Sequence, residues 1–160
     1  MQSAKLIQLK GEELLSKIMR EETFPGDIAQ YFSVIHRAFL KDTKGEYAKY
    51  DLNPTNAYIL LYLFFNKNSS QSELAQKLVI NKGQITRETT KLLSLNFISK
   101  EISSKNRTTN VIAISSDGKK VIKKIIDIRN QWWEEKLKLS GVKTNSEFLD
   151  SLKKLESILN

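Results

Sequence analysis

The sequence contains no cysteine and only one histidine, His36. The absence of cysteine excludes disulfides, thiolate metal sites and a peroxide switch that works by cysteine oxidation. A single histidine also leaves a zinc site short of ligands, because zinc usually binds several Cys or His side chains. We therefore expect no metal and no cofactor, and we interpret His36 as a packed or half-exposed helical residue.

Long apolar runs and the motifs of common enzymes are also missing. No stretch approaches the roughly 18 to 20 apolar residues that cross a bilayer, and no basic segment leads into an apolar signal sequence. The sequence has no glycine-rich phosphate loop, no Cys-His nucleophile pair and no isolated carboxylate cluster. These absences predict a cytoplasmic protein with no membrane partner, no catalytic residues and no enzymatic activity.

Positive charge is in excess over negative charge. The chain has 26 Lys and Arg residues against 18 Asp and Glu residues, so its net charge is +8 at pH 7. Such an excess favours a polyanionic partner, either nucleic acid or an anionic membrane surface. Because 40% of the 160 residues are hydrophobic, the chain can bury one core. We expect residues 1–160 to form a single compact subunit.

Two helices joined by a short turn are predicted in the middle of the chain. Ser70 and Glu73 have the spacing of a capping box, in which each side chain bonds the backbone N–H of the other residue. Asn81 and Gln84 repeat this spacing and open a second helix over residues 82–95. Two helices about three residues apart form a helix-turn-helix.

The second of these helices is amphipathic. Ile85, Leu92, Leu93 and Leu95 supply its apolar stripe, and donors and cations occupy its other faces. A helix that reads the major groove needs this division, because one face stays on the core while the other meets base edges. The alternative interpretation is the solvated polar face of an ordinary surface helix. The polar and cationic residues are Lys82, Gln84, Thr86, Arg87, Thr90 and Lys91.

A hairpin with a basic tip is predicted directly after this helix. The runs 97–103 and 108–114 are rich in β-branched residues and are separated by Ser104-Lys105-Asn106-Arg107. Such a wing can lie along phosphates or enter a minor groove, whose negative potential attracts arginine. Helices and hairpin together predict a winged helix-turn-helix, with DNA as its partner.

Several blocks of this region resemble the MarR (multiple antibiotic resistance regulator) family. They follow one another in register without a gap. The resemblance implies a mainly α fold with a small β-hairpin wing, in which residues 52–118 bind DNA and residues 1–42 and 116–160 form a helical dimerisation region. The blocks are Gln71-Ser72-Glu73-Leu74-Ala75, Asn81-Lys82-Gly83-Gln84-Ile85-Thr86-Arg87, Asn96-Phe97-Ile98 and Ile112-Ala113-Ile114-Ser115 with Gly118.

The resemblance also implies a function. It indicates a homodimeric transcriptional repressor that binds a specific pseudo-palindromic site in double-stranded DNA. The alternative is a winged-helix module that binds protein, in which the basic charge serves solubility or general affinity for polyanions. The expected DNA contacts are Ser70, Gln71, Lys82, Gln84, Thr86, Arg87, Thr90, Lys91, Lys105, Asn106 and Arg107.

The wing departs from the family's usual pattern of an aspartate, any residue and an arginine. Asn106 and Thr108 hold the outer two positions here, with Arg107 between them. We expect Arg107 to take over the minor-groove role, because it is the only arginine at the tip. A wing that touches only phosphates is the alternative.

Further helices are predicted before the helix-turn-helix. Residues 3–22 form an amphipathic helix, and Asp27 caps a second one that ends at about Lys41. The polar stretch 42–51, which contains Gly45, is expected to be a loop. Asn53 and Pro54 then begin an apolar helix to about Lys67, which we expect to be the central core helix.

Two more helices are predicted after the wing. Ser115 caps a long helix that ends at Gly141, and a capping box over 144–147 begins the last helix. Their apolar stripes are wider than one small domain covers, which favours a homodimer over helices that fold only onto their own subunit.

The resemblance further implies a small aromatic or phenolic effector in the cleft between the dimerisation helices and the winged domain. Packing within the core is the alternative interpretation for each candidate residue. The candidates are Tyr31, Ile35, His36, Phe39, Tyr58 and Tyr62.

Overall fold

The computed structural model describes residues 25–66, 68–102, 110–143 and 146–159. The predicted helix over 3–22, the wing tip and the start of the capping box over 144–147 lie outside the described residues. The fold is mainly helical with one small hairpin, as predicted. The elements are α1 (Asp27–Ala48), α2 (Pro54–Phe65), α3 (Gln71–Lys77), α4 (Lys82–Ser94), β1 (Ile98–Ile102), β2 (Asn110–Ile114), α5 (Ser116–Ser140) and α6 (Ser146–Ser157).

The chain divides into two compact units, residues 1–39 and 40–160. In the first unit, a turn at Pro25 and Gly26 leads into α1, and the N–H of Ile28 donates to the Pro25 carbonyl at 3.2 Å. Asp27 lies in the first turn of α1 instead of at the predicted N-cap. Its carboxylate is still favourable there, because the N-terminus of a helix is partly positive.

The predicted loop over 42–51 is wrong for its first seven residues, because α1 continues through them to Ala48. Thr43 and Tyr47 are 2% and 1% exposed, and the indole Nε1 of Trp132 donates to Asp42 Oδ2 at 3.0 Å. This packing outweighs the cost of a glycine inside a helix, about 1 kcal/mol. The chain turns at Asp51 instead, whose φ is 57°.

Helix α2 is the central helix of the second unit, as predicted. Asn53 caps it, Pro54 occupies its first turn, and Asn56 completes a reciprocal capping box. Ile59 and Leu60 are fully buried, and α2 contacts α4, α5 and β2. The helix ends at Phe65, which is 70% exposed, so its last turn leaves the core.

Helices α3 and α4 form the predicted helix-turn-helix. The capping box of Ser70 and Glu73 is present, whereas the second cap is only half of a box: Asn81 accepts from the Gln84 N–H, but the Gln84 side chain turns elsewhere. Val79, in the turn, has a left-handed φ of 52°, which is costly for a β-branched residue.

Strands β1 and β2 pair antiparallel, with Ile98 opposite Ile114 and Lys100 opposite Ile112. Ser69 bonds Ile112 through both backbone groups and adds a short third segment. These bonds attach the wing to the segment that leads into α3.

Helix α5 begins and ends as predicted. Ser115 caps it by accepting from the Gly118 N–H at 3.0 Å, and Gly141 ends it with a φ of 70°, a conformation that favours glycine. Ile122 and Ile125 are buried on the face toward the core. Among the described residues, no helix combines the length and the apolar character needed to span a membrane.

Candidate nucleic-acid interface

The outer face of α4 is a polar, cationic surface on a rigidly packed helix. Ile85 and Leu92 on the opposite face are fully buried. The hydroxyls of Thr86 and Thr90 donate back to the carbonyls of Lys82 and Thr86, at 3.0 and 2.8 Å, so their oxygens are presented outward as acceptors. Five of the predicted contacts are exposed on this helix. They are Lys82, Thr86, Arg87, Thr90 and Lys91.

Arg87 reaches out from this surface while keeping one contact with the helix. Its side chain is 73% exposed, and its Nε and Nη2 both lie 3.3 Å from Glu88 Oε1. The contact with Glu88 restricts the guanidinium but does not bury it. The guanidinium is therefore available to a phosphate or a base edge.

Two predicted DNA contacts use their side-chain amides to hold the domain together. Gln71 Nε2 donates to Thr89 Oγ1 at 2.7 Å, which ties α3 to α4. Gln84 Nε2 donates to Thr55 Oγ1 at 3.3 Å, which ties α4 to the start of α2. In this structure both side chains position the helices.

A cleft of about 380 Å³ lies where α3, α4 and the wing meet. It brings Lys82 together with Lys100 of β1, which was not among the DNA contacts expected from the sequence. The pairing of Lys100 with Ile112, and of Ile112 with Ser69, creates this proximity. The cleft is lined by Ser70, Gln71, Ser72, Lys82, Lys100, Asn110 and Ile112.

The carboxylate that lies among these cations on α4 is buried and hydrogen-bonded. Glu88 is 5% exposed and bonds Asn53 and Asn56 at the start of α2. Glu101 is exposed and accepts from Asn68 at 2.7 Å. The predicted tip residues of the wing, Lys105, Asn106 and Arg107, lie outside the described residues.

The predicted effector residues differ widely in exposure. In the first unit Tyr31 is 60% and Ile35 40% exposed, His36 is exposed, and Phe39 is 3% exposed. In the second unit Tyr58 and Tyr62 are half-buried. Effector binding by these residues stays a prediction.

Tyr58 has a defined partner within the second unit. The Arg129 guanidinium lies 5.6 Å from the centre of its ring, a cation–π contact. Burial raises the pKa of Tyr58, and the charge of Arg129 opposes that rise. Burial likewise raises the pKa of Tyr47 to about 12. Both phenols are therefore neutral hydrogen-bonding groups at neutral pH.

A second cavity, of about 240 Å³, lies between α1 and α5 and is lined by Asp42, Glu46, Trp132 and Lys136 among others. None of the predicted effector residues lines it. Within the described part of the chain, no three His, Asp or Glu side chains are grouped so that they could hold a metal ion.

Sequence comparison relates the chain to regulators of transcription. The family described as transcriptional regulator SarA/Rot matches residues 43–125, slightly more than half of the chain. The chain is also 24% identical over 135 residues to the HTH-type transcriptional regulator BilQ of Clostridium symbiosum (strain WAL-14163), an alignment that covers 84% of this chain and 91% of BilQ.

Solved structures share the fold. BldR, a transcriptional regulator from Sulfolobus solfataricus, matches with a TM-score of 0.73 at 22% identity, over 82% of this chain and 93% of BldR. A MarR transcriptional regulator from Methanosarcina mazei Go1 matches with a TM-score of 0.68 at 19% identity, over 83% and 94%. A mutant of S. aureus MepR bound to an oligodeoxyribonucleotide matches with a TM-score of 0.53 at 15% identity, over 86% and 97%.

The family match covers α2, the helix-turn-helix and the wing, which together form the surface described above. The structural matches confirm that this fold is the winged helix of MarR regulators. The chain therefore belongs to the SarA/Rot family of transcriptional regulators and has the winged-helix fold that MarR regulators share.

Proposed function

We propose that this regulator is a homodimeric repressor that binds a specific pseudo-palindromic site in double-stranded DNA. The observation that carries the proposal is the two-sided character of α4. Its inner face is fully buried at Ile85 and Leu92, while its outer face presents cations and hydroxyl oxygens. A helix of this kind fits the major groove with its outer face, while its inner face stays packed on the hydrophobic core of the domain.

The cleft beside α4 supports the same function. Lys82 and Lys100 line it from two different elements, so a phosphate backbone that follows α4 would meet positive charge from both. MepR shares the fold, and its mutant was solved bound to an oligodeoxyribonucleotide. This similarity further supports DNA binding. In the proposal, residues 52–118 bind DNA, and residues 1–42 and 116–160 form the dimerisation region.

Selection of bound fragments from a random or genomic DNA pool tests the proposal. We expect recovery of an inverted repeat whose half-sites lie about one helical turn apart, as a two-fold reader requires. No enrichment over the input pool, with folded protein, would contradict sequence-specific binding. Weak binding that unrelated DNA competes away equally would instead favour the protein-binding module.

Two wing cations, Lys100 and Arg107, are expected to displace counterions from the DNA. Replacing Lys100 or Arg107 with alanine removes one positive charge from each wing. Either substitution should lower the slope of log affinity against log salt by about one for each wing that binds. Fluorescence anisotropy with the selected duplex over a range of salt concentrations measures this slope.

Lys123→Ala is the matched control for these substitutions, because Lys123 is an exposed lysine on α5. It removes the same charge from outside the cleft and should leave the slope unchanged. If Lys100→Ala behaves like this control, the cleft is not a phosphate site. If Arg107→Ala also leaves the salt slope unchanged, the wing tip does not touch DNA.

Dimerisation is proposed through the terminal helices. On α6, Phe148, Leu149 and Leu155 are between 43% and 51% exposed. Apolar side chains left this open on one helix are typical of an interface between subunits. Sedimentation equilibrium at micromolar concentration should report about twice the 18.4 kDa chain mass.

A pair of matched variants locates the interface. Leu149→Glu places a charge on the apolar face of α6 and should shift the equilibrium toward monomer. Ser157→Glu adds the same charge at an exposed position on the opposite face of α6 and should leave the dimer intact. A wild-type monomer that still binds the selected duplex would contradict the proposal.

A further inference from the structure

Glu88 is a carboxylate at a buried position of the DNA-facing helix. Its side chain is 7% exposed, although that of the preceding residue, Arg87, is 73% exposed. A buried carboxylate is costly unless its oxygens are hydrogen-bonded. Its two oxygens have different partners, and these partners define its role.

Oxygen Oε2 is bound to the beginning of α2. Asn53 Nδ2 and Asn56 Nδ2 donate to it at 2.8 and 2.9 Å. The two asparagines also cap α2 reciprocally: each Oδ1 accepts the backbone N–H of the other, at 2.8 and 3.2 Å. Because each amide oxygen is held by the cap, each amide nitrogen is directed at Glu88. The α2 cap therefore fixes where this part of α4 lies.

Oxygen Oε1 faces the surface of the helix. There it accepts from Nε and Nη2 of Arg87, both at 3.3 Å. One carboxylate thus joins a buried cap on one side to an exposed guanidinium on the other.

We propose that Glu88 is a positioning residue for base readout: Oε2 fixes α4 on the α2 cap, and Oε1 holds the Arg87 guanidinium in a limited set of conformations. This inference rests on the proposed function, because it assigns the discrimination between DNA sequences to Arg87 as held by Glu88. A side chain that is already ordered loses less conformational entropy on binding, and the fixed geometry of guanidinium suits bidentate recognition.

Glu88→Gln separates the two oxygens. Glutamine keeps one oxygen, which can accept from both asparagines, and replaces the other with an NH₂ group that cannot accept from Arg87. We expect the variant to fold, as checked by circular dichroism melting. Its preference for the selected duplex over a scrambled duplex of the same composition should fall by about 2- to 10-fold for each recognition helix.

Glu134→Gln is the control for charge, because Glu134 is exposed on α5. Losing a negative charge strengthens binding to any DNA, so this variant should affect both duplexes equally and leave their ratio unchanged. The ratio, and not the affinity itself, therefore reports the positioning role.

An Arg87→Ala background distinguishes positioning from general structural support. If Glu88 acts through Arg87, Glu88→Gln should leave the ratio unchanged in that background. An equal fall of the ratio with and without Arg87 would overturn the proposal, since Glu88 would then act through the helix alone. An unchanged ratio in the Arg87-containing protein would also overturn it.

A spectroscopic measurement without DNA tests the contact itself. In ¹H–¹⁵N spectra the Arg87 Nε–Hε signal should move toward that of a free arginine in Glu88→Gln and stay in place in Glu134→Gln. A signal that does not move in Glu88→Gln contradicts the contact. Failure to select any duplex overturns the proposed function, whereas a selected duplex with an unchanged ratio overturns only the role of Glu88.

Discussion

Replacing Arg87 with alanine should weaken binding to the selected duplex far more than binding to a scrambled duplex. If the guanidinium bonds O6 and N7 of a guanine, each recognition helix loses about 1 to 3 kcal/mol of discrimination. A dimer carries the change twice, so the expected loss is large. The Arg87 side chain is 73% exposed, and the Glu88 carboxylate keeps its hydrogen bonds from Asn53 and Asn56 when Arg87 is removed. The fold should therefore be retained.

Lys91→Ala is the comparison on the same helix. Lys91 is exposed on α4, and an ammonium is suited to a phosphate contact that does not depend on sequence. It should cost similar affinity on both duplexes in an anisotropy titration. If Arg87→Ala also costs the same on both, Arg87 is a phosphate contact, and base readout must come from other residues of α4.

Replacing Gly118 with alanine should destabilise the whole winged domain. A Cβ atom at Gly118 would lie 2.1 Å from the Phe97 carbonyl oxygen and 2.8 Å from Ile114 Cγ1. The oxygen belongs to the backbone and already accepts from the Ser115 N–H at 3.0 Å, so side-chain rotation cannot relieve the contact. The first turn of α5 and the base of the wing would have to move apart.

The expected size of this effect follows from two opposing contributions. Overpacking of this kind costs about 3 kcal/mol, the upper part of its usual range, while alanine returns about 1 kcal/mol as a better helix former. We expect a net loss of about 2 kcal/mol in the free energy of unfolding, measured by denaturation in urea.

Gly45→Ala provides the matched control within α1. Nothing lies within 4 Å of a Cβ atom at Gly45, so alanine there should stabilise the protein by up to about 1 kcal/mol. If Gly118→Ala and the wild type have the same free energy of unfolding, the first turn of α5 and the base of the wing can move apart without loss of stability, and the prediction is wrong.

Local chemistry made much of this fold predictable. The caps at Ser70 and Asn53 and the left-handed end at Gly141 involve residues within a few positions of one another, so the sequence contains both partners. The sequence blocks that resemble the MarR family are also local patterns. Gly118 belongs to the last of them, and the structure shows that a larger residue there would collide with the Phe97 carbonyl oxygen. The predicted loop at 42–51 failed because Thr43, Tyr47 and the bond from Trp132 to Asp42 decide that segment.

By itself, the sequence determined the helix-turn-helix, the order of elements, the apolar faces and the positive charge, because these depend on side-chain type and short spacing. The tertiary structure alone decided which polar side chains remain available on the candidate surface. Gln71 and Gln84 bind Thr89 and Thr55, Lys100 joins Lys82 through strand pairing, and Glu88 bonds an asparagine cap more than thirty residues away. A hydrogen bond between residues so distant in sequence forms only when the core brings their helices together, and no local pattern specifies it.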